Sequence, residues 1–190
     1  MFIRTFSTLS VTAEKRLFVL TIASFLLAAS CMIHFDEPLK SEITPLGIVS
    51  FELAKTPEKA LQILTLWQTT ENAILSAEWS LWFDYIFIIT YALLLSLIIG
   101  HTQKKCWKSQ DGLGFRLGTI MIRMVILAAF LDMVENAALL LLYYGDVKSL
   151  WTHLAFAAAT IKFIHLMLAI IYIIVSWLVI GFKKTIYVKK

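Results

Sequence analysis

Four long apolar runs set the reading of this chain: Leu17–Ile33, Leu81–Ile99, Leu117–Tyr144 and Leu154–Ile180. Each is near or above the roughly 17–25 residues with which a helix crosses a bilayer. In hydrocarbon every backbone N–H and C=O must pair internally, so runs of this length are expected to be helices. The pattern therefore predicts an all-α, polytopic membrane protein, a four-transmembrane-helix bundle forming a single membrane domain over residues 1–190.

Between the first two runs the pattern changes. Residues 34–80 hold all three prolines, Pro38, Pro45 and Pro57, and are too long for a structureless connection in a compact protein. Two short helices are expected there. In "PLGIVSFELA" the apolar positions 46, 49 and 53 share a face, with Glu52 off it. In "TPEKALQILTLWQ" Thr56 stands as N-cap, Pro57 takes the first helical position and Glu58 lies in the first turn. Ala60, Ile63, Leu64 and Trp67 then recur at the spacing of one helical face, which predicts an amphipathic helix over about 57–68. Such a helix lies at headgroup depth or folds over the mouth of the bundle, and Trp67, Trp79 and Trp82 suit the interface. The second span is expected to begin ahead of its apolar run, since helical spacing holds from about Thr70.

Composition agrees with this class. Hydrophobic residues make up 59% and charged residues 16%, against about 45–50% and about 25% in soluble domains; the mean hydropathy is +0.80. A net charge of +4 raises nucleic acid as a partner, but its distribution excludes that reading. The bases sit beside the apolar runs: Arg4, Lys15 and Arg16, then Lys104, Lys105, Lys108 and Arg116, then Lys183, Lys184, Lys189 and Lys190. The segment between the first two spans is acid-rich instead. Lysine and arginine concentrate in cytoplasmic loops, so both termini are expected in the cytoplasm and the 34–80 loop outside, in a multi-pass protein of the cell (plasma or inner) membrane.

Two further signals carry less. "RLFVLTIASFLLAASC" resembles a signal peptide with a small-residue box before Cys31, yet Met32 and Ile33 continue the apolar run, so a retained first helix is expected. Cys31 and Cys106 fall on opposite sides of the membrane, which leaves no disulfide framework.

The candidate chemistry lies inside the apolar runs. In "FLDMVENAALLL" Asp132, Glu135 and Asn136 are neighbours on one helical face. An acid at bilayer depth is costly unless it faces protein, water or a partner, so this face is expected to look into the bundle. The fourth span carries Lys162, His165, Tyr172 and Ser176 on one side. Asp132 lies 12 residues before Tyr144, and Lys162 lies 11 after Trp151. At 1.5 Å per residue both sit roughly 16–18 Å from the turn that joins the two spans. An Asp132–Lys162 ion pair follows, with Glu135 nearer the outside and His165 deeper.

One lysine cannot balance two carboxylates, so His165 is expected to supply the second positive charge or to relay a proton. Asp84 is read as a partly hydrated acid that can join the cluster from the outer side, with Tyr91 two turns below it. Arg123 lies on the far side of its helix and is expected to snorkel. One histidine with scattered acids beside a competing lysine does not make a metal site, so neither metal nor cofactor is expected.

These residues suggest an outward-facing pocket for a small molecule, a lipid headgroup or a proton, in a binding, transport or sensing component. A structural or accessory subunit, whose polar face joins helices or docks on another membrane protein, is the alternative. An intramembrane enzyme acting on lipid is a third reading, weakened by the lack of a nucleophile motif. Four spans are few for a transporter monomer, which raises a homodimer.

Overall fold

A computed structural model of the chain describes residues 11–107, 109 and 112–188, with side chains for 12–107, 109 and 112–181. The helices are α1 (Val11–Asp36), α2 (Ile48–Glu52), α3 (Pro57–Thr69), α4 (Ala73–Cys106), α5 (Leu113–Tyr143) and α6 (Ser149–Val188), with one 3-10 turn at Glu37–Leu39. Among the described residues there is no strand. Four helical stretches are long and apolar enough to cross a membrane: Thr12–Leu39, Ala73–Cys106, Leu113–Tyr143 and Ser149–Gly181. The protein is thus all-helical, and these four suggest a multi-pass membrane protein.

The helices outrun the apolar stretches that announced them. α4 starts at Ala73 rather than Leu81 and ends at Cys106 rather than Ile99. Its flanks, "AILSAEWS" and "HTQKKC", contain neither proline nor glycine, and a started helix continues into them at little cost. α1 runs without a break through the small-residue box before Cys31. Cys31 and Cys106 are both free thiols near opposite ends of the bundle.

Neighbours in sequence are neighbours in space. α1 packs on α4, α4 on α5 and α5 on α6, with α4 also touching α6. In the most apolar window of α5, 56% of residues are buried, against 11% for α1, so α5 is the centre and α1 the periphery. The buried faces use small residues: Ala128, Ala129 and Ala138 on α5, and Ala155, Ala158, Ala159 and Ala169 on α6. Small residues let backbones approach closely, which is how helices gain dispersion contacts in lipid, where apolar burial alone does not drive association.

One end of the bundle is roofed. It gathers the C-termini of α1 and α5 and the N-termini of α4 and α6, with α2 and α3 laid across them. α3 is the helix the periodicity described. Thr56 caps it by accepting from Lys59 N at 3.3 Å, Pro57 is its first residue, and Ala60, Ile63, Leu64 and Trp67 are its buried face. Trp67 departs from the interfacial expectation. It is 1% exposed, stacks edge-on against Phe51, and donates Nε1–H to Leu39 O at 3.1 Å. Trp79 and Trp82, each about half exposed, keep surface positions.

α2 corrects the expectation more sharply. The face at 46, 49 and 53 is not the buried one: Leu46 and Leu53 are exposed, while Ile48, Phe51 and Glu52 turn inward. Two local features set that rotation. Gly47 adopts φ +57°, a conformation other residues rarely take, and a Cβ there would fall 2.0 Å from Asp36 Oδ1. Asp36, the last residue of α1, in turn accepts from Ile48 N at 2.7 Å. The roof is thereby pinned to the first spanning helix.

The opposite end carries the N-termini of α1 and α5 and the C-terminus of α4, with Lys15, Arg16, Lys104, Lys105 and Arg116. Arg4, Lys108, Lys189 and Lys190, and the side chains of Lys183 and Lys184, lie outside the described residues.

Candidate functional site

Below the roof, α5 turns three polar side chains away from its lipid-facing surface. Asp132, Glu135 and Asn136 are 4%, 0% and 2% exposed, while Phe130 and Met133, on the other side of the helix, face outward. Lys162 on α6, 4% exposed, reaches the same level. Its Nζ lies 2.5 Å from Asp132 Oδ1 and donates to Glu135 Oε1 at 3.0 Å. The antiparallel arrangement of α5 and α6 about the turn at 144–148 brings these positions to one depth.

A third carboxylate comes from the roof. Glu52 of α2 places Oε2 3.3 Å from Lys162 Nζ. Three acids from two elements therefore surround one ammonium, and with all four groups ionised the cluster carries a net charge of −2. Further contacts extend it. Tyr91 on α4 donates its hydroxyl to Asp132 Oδ2 at 2.9 Å. Asn136 donates Nδ2–H to Asp84 Oδ2, so half-buried Asp84 joins the network through an amide.

Two oxygens break the pattern. Glu52 Oε2 and Glu135 Oε2 are buried and accept no hydrogen bond, although both lie within ion-pair distance of Lys162. Both oxygens lie against the same ammonium, Glu52 Oε2 at 3.3 Å and Glu135 Oε2 at 2.9 Å from Lys162 Nζ, so the two carboxyl groups are neighbours. A proton carried by one and donated to the other would satisfy an acceptor and lower the buried negative charge at once.

The sequence-derived residues divide accordingly. Asp132, Glu135, Asn136 and Lys162 come together, and Asp84 attaches at the edge. His165 does not join. Its Nδ1–H donates to Ile161 O at 2.7 Å, one turn back on its own helix, and it is only partly buried. Three residues past Lys162, its position is turned about 60° around α6, which carries the ring off the seam that Lys162 occupies. The second positive charge expected from it is absent from the cluster. Glu52 was the residue missed. The set Ile48, Phe51 and Glu52 has its own helical spacing, three and four residues apart, and that was the available signal.

The lower part of the bundle interior is neutral. Gln103 donates Nε2–H to Phe115 O at 2.7 Å and to Thr119 Oγ1 at 3.0 Å. Tyr172 donates to Gly114 O at 3.0 Å, and Trp107 donates Nε1–H to Ser176 Oγ at 3.1 Å. Tyr172 and Ser176, read from sequence as part of the Lys162 stripe, thus serve this second network. Among the described residues no group of three or more His, Cys, Asp or Glu side chains is arranged to hold a metal ion.

Compared with known proteins, the chain matches no family model, no curated protein and no solved structure.

Proposed function

We propose that this is a proton-binding component of the cell membrane, whose site is the Glu52–Glu135 pair held against Lys162 beneath the α2–α3 roof. The observation that carries the reading is the pair of carboxyl groups set against one ammonium, each with a buried oxygen that accepts no hydrogen bond. Every member of the acid–lysine core is less than a tenth exposed. The smallest cation is the ligand such close packing accommodates, which favours a proton over a small molecule or lipid headgroup. Because Glu52 belongs to the loop and Glu135 to a spanning helix, the proton would also join the roof to the bundle. Release of the proton sets two buried carboxylates against each other and loosens α2, as expected of a sensing or translocating element.

The orientation belongs to the same proposal. Lys15, Arg16, Lys104, Lys105 and Arg116 share one end, and the roof the other. The positive-inside tendency then places both termini in the cytoplasm and the site toward the outer surface.

The test is infrared spectroscopy of the full chain in lipid nanodiscs at neutral pH. A protonated-carboxyl C=O band is expected, with a component lost in both Glu52→Gln and Glu135→Gln and kept in Glu78→Gln. In either of the first two variants the new amide N–H would supply the donor and release the proton. A wild-type spectrum without that component sinks the reading.

A second reading keeps one observation in its favour. The contacts of Tyr91 with Asp132 and of Asn136 with Asp84 are completed hydrogen bonds between helices, as an accessory or structural subunit would use. Under that reading both Gln variants keep the wild-type spectrum and differ in stability alone.

A further inference from the structure

A second feature lies at the opposite end of the bundle and has no part in the acid cluster. Between the first turns of α1 and the last turns of α4 an open groove of about 610 Å³ is bordered by Lys15, His101, Lys104 and Lys105, with Phe18 and Val19 along its wall. Glu14 is the single acid on its border and lies 3.4 Å from Lys104. Three lysines against one glutamate leave a net charge of +2 with His101 neutral.

Depth separates the two kinds of lining residue. A hydrocarbon layer of about 30 Å takes about 20 helical residues, so a crossing that begins at Leu81 ends near His101. Lys104 and Lys105 stand one turn further, among the headgroups. On the antiparallel α1, Lys15 precedes Phe18 and Val19 by one turn, so its amine also lies on the headgroup side of an apolar wall. Lys105 is held there by packing, with Nζ 4.6 Å from the centroid of the Trp177 ring, whose Nε1–H bonds Thr102 Oγ1 at 3.2 Å. The groove therefore offers cations at phosphate depth and apolar side chains at acyl depth in one continuous surface.

We propose that this groove binds an anionic phospholipid of the leaflet at that end, its phosphate against Lys15, Lys104 and Lys105 and the top of one acyl chain along Phe18 and Val19. A free phosphate would use the cations and leave the apolar wall bare, and a zwitterionic lipid would not balance the charge of the rim. The volume, within the roughly 300–1,000 Å³ of small-molecule sites, suits a headgroup with the first carbons of its chains.

The experiment is native mass spectrometry of the full chain in detergent, titrated with phosphatidylglycerol, phosphatidylcholine or glycerol 3-phosphate. Phosphatidylglycerol is expected to bind at least tenfold more tightly than phosphatidylcholine, and glycerol 3-phosphate not to displace it. Lys15→Gln and Lys105→Gln are each expected to weaken phosphatidylglycerol about fivefold, the usual effect of one juxtamembrane base on an anionic lipid. Lys55→Gln, at the roofed end, is the matched control and leaves binding unchanged; melting curves confirm that all three variants fold. Equal retention of the two lipids overturns the proposal. So does displacement by glycerol 3-phosphate, which would mark a soluble-anion site, or an equal effect from Lys55→Gln, which would mark general charge attraction.

Discussion

α4, α5 and α6 meet twice along their length, in two different chemistries. Under the roof they meet through charge, with Lys162, Asp132 and Glu135 at the centre and Tyr91 and Asn136 bridging to α4. Toward the other end the same helices meet through neutral donors and acceptors, Gln103 on the α5 backbone and Thr119, Tyr172 on Gly114 O, and Trp107 on Ser176. A neutral hydrogen bond between membrane helices contributes about 0.6 kcal/mol and asks little desolvation. A buried charge asks several kcal/mol and must be matched. Since the lower junction joins these helices without ions, the upper one carries more charge than helix pairing requires. That surplus is what a working site would need.

The largest expected effect breaks the charged junction. Lys162→Met leaves three buried acid side chains without their counter-ion and should lower stability by roughly 3–5 kcal/mol, read as the unfolding midpoint in a mixed-micelle titration. Adding Asp132→Asn should restore part of the loss. If the double variant is no more stable than the single one, the pairing assigned here is wrong.

A smaller effect is expected at the neutral junction. A Cβ at Gly118 would fall 2.4 Å from Gln103 Cγ and 2.4 Å from Tyr172 Oη, so Gly118→Ala should cost about 1–3 kcal/mol. In the same titration a neutral outcome would mean that the lower helices have room to separate, and the contrast between the halves would weaken.

The smallest effect compares a charge in water with the charges in the core. Asp146, in the turn between α5 and α6, accepts from Lys148 at 3.0 Å and from Trp151 at 2.9 Å. The hydrogen bond from Lys148 is the larger cause holding its carboxyl below the usual aspartate range. A lowered folded value stabilises the protein above the ordinary aspartate titration, and that contribution fades as the pH falls through the lowered value. Asp146→Asn should therefore melt close to wild type at neutral pH, with the small difference closing below about pH 4. A difference unchanged at lower pH would assign the effect to something other than the ion pair.

Much of the bundle could be read ahead of the structure, and the reasons are specific. Apolar length located four spanning helices, and a rise of 1.5 Å per residue placed Asp132 and Lys162 at one depth because a single short turn joins their helices. α3 was legible because thirteen residues give periodicity room to repeat and Thr56 and Pro57 mark its start. α2 was not, since five residues make less than two turns and any face can be drawn through them. Its rotation depends on Gly47 and on Asp36, a contact spanning twelve residues that no local pattern contains. Glu52 was lost with that rotation. His165 failed for a related reason: a stripe read from spacing alone is broad, and its edge positions fall on either side of the seam. The neutral network escaped notice because Gln103 and Trp107 carry no charge to make them conspicuous near an apolar run.

The turn at 144–148 has a consequence for how such a chain enters a membrane. As synthesis proceeds, α5 emerges with Asp132 and Glu135 before any lysine exists to face them, and alone it would present two acids to lipid. Lys162 follows only one short turn later, on a helix that folds straight back. Insertion as a helical hairpin, with the acids and their counter-ion crossing together, avoids the exposed intermediate and makes the fourth span the one that supplies the counter-ion for the third.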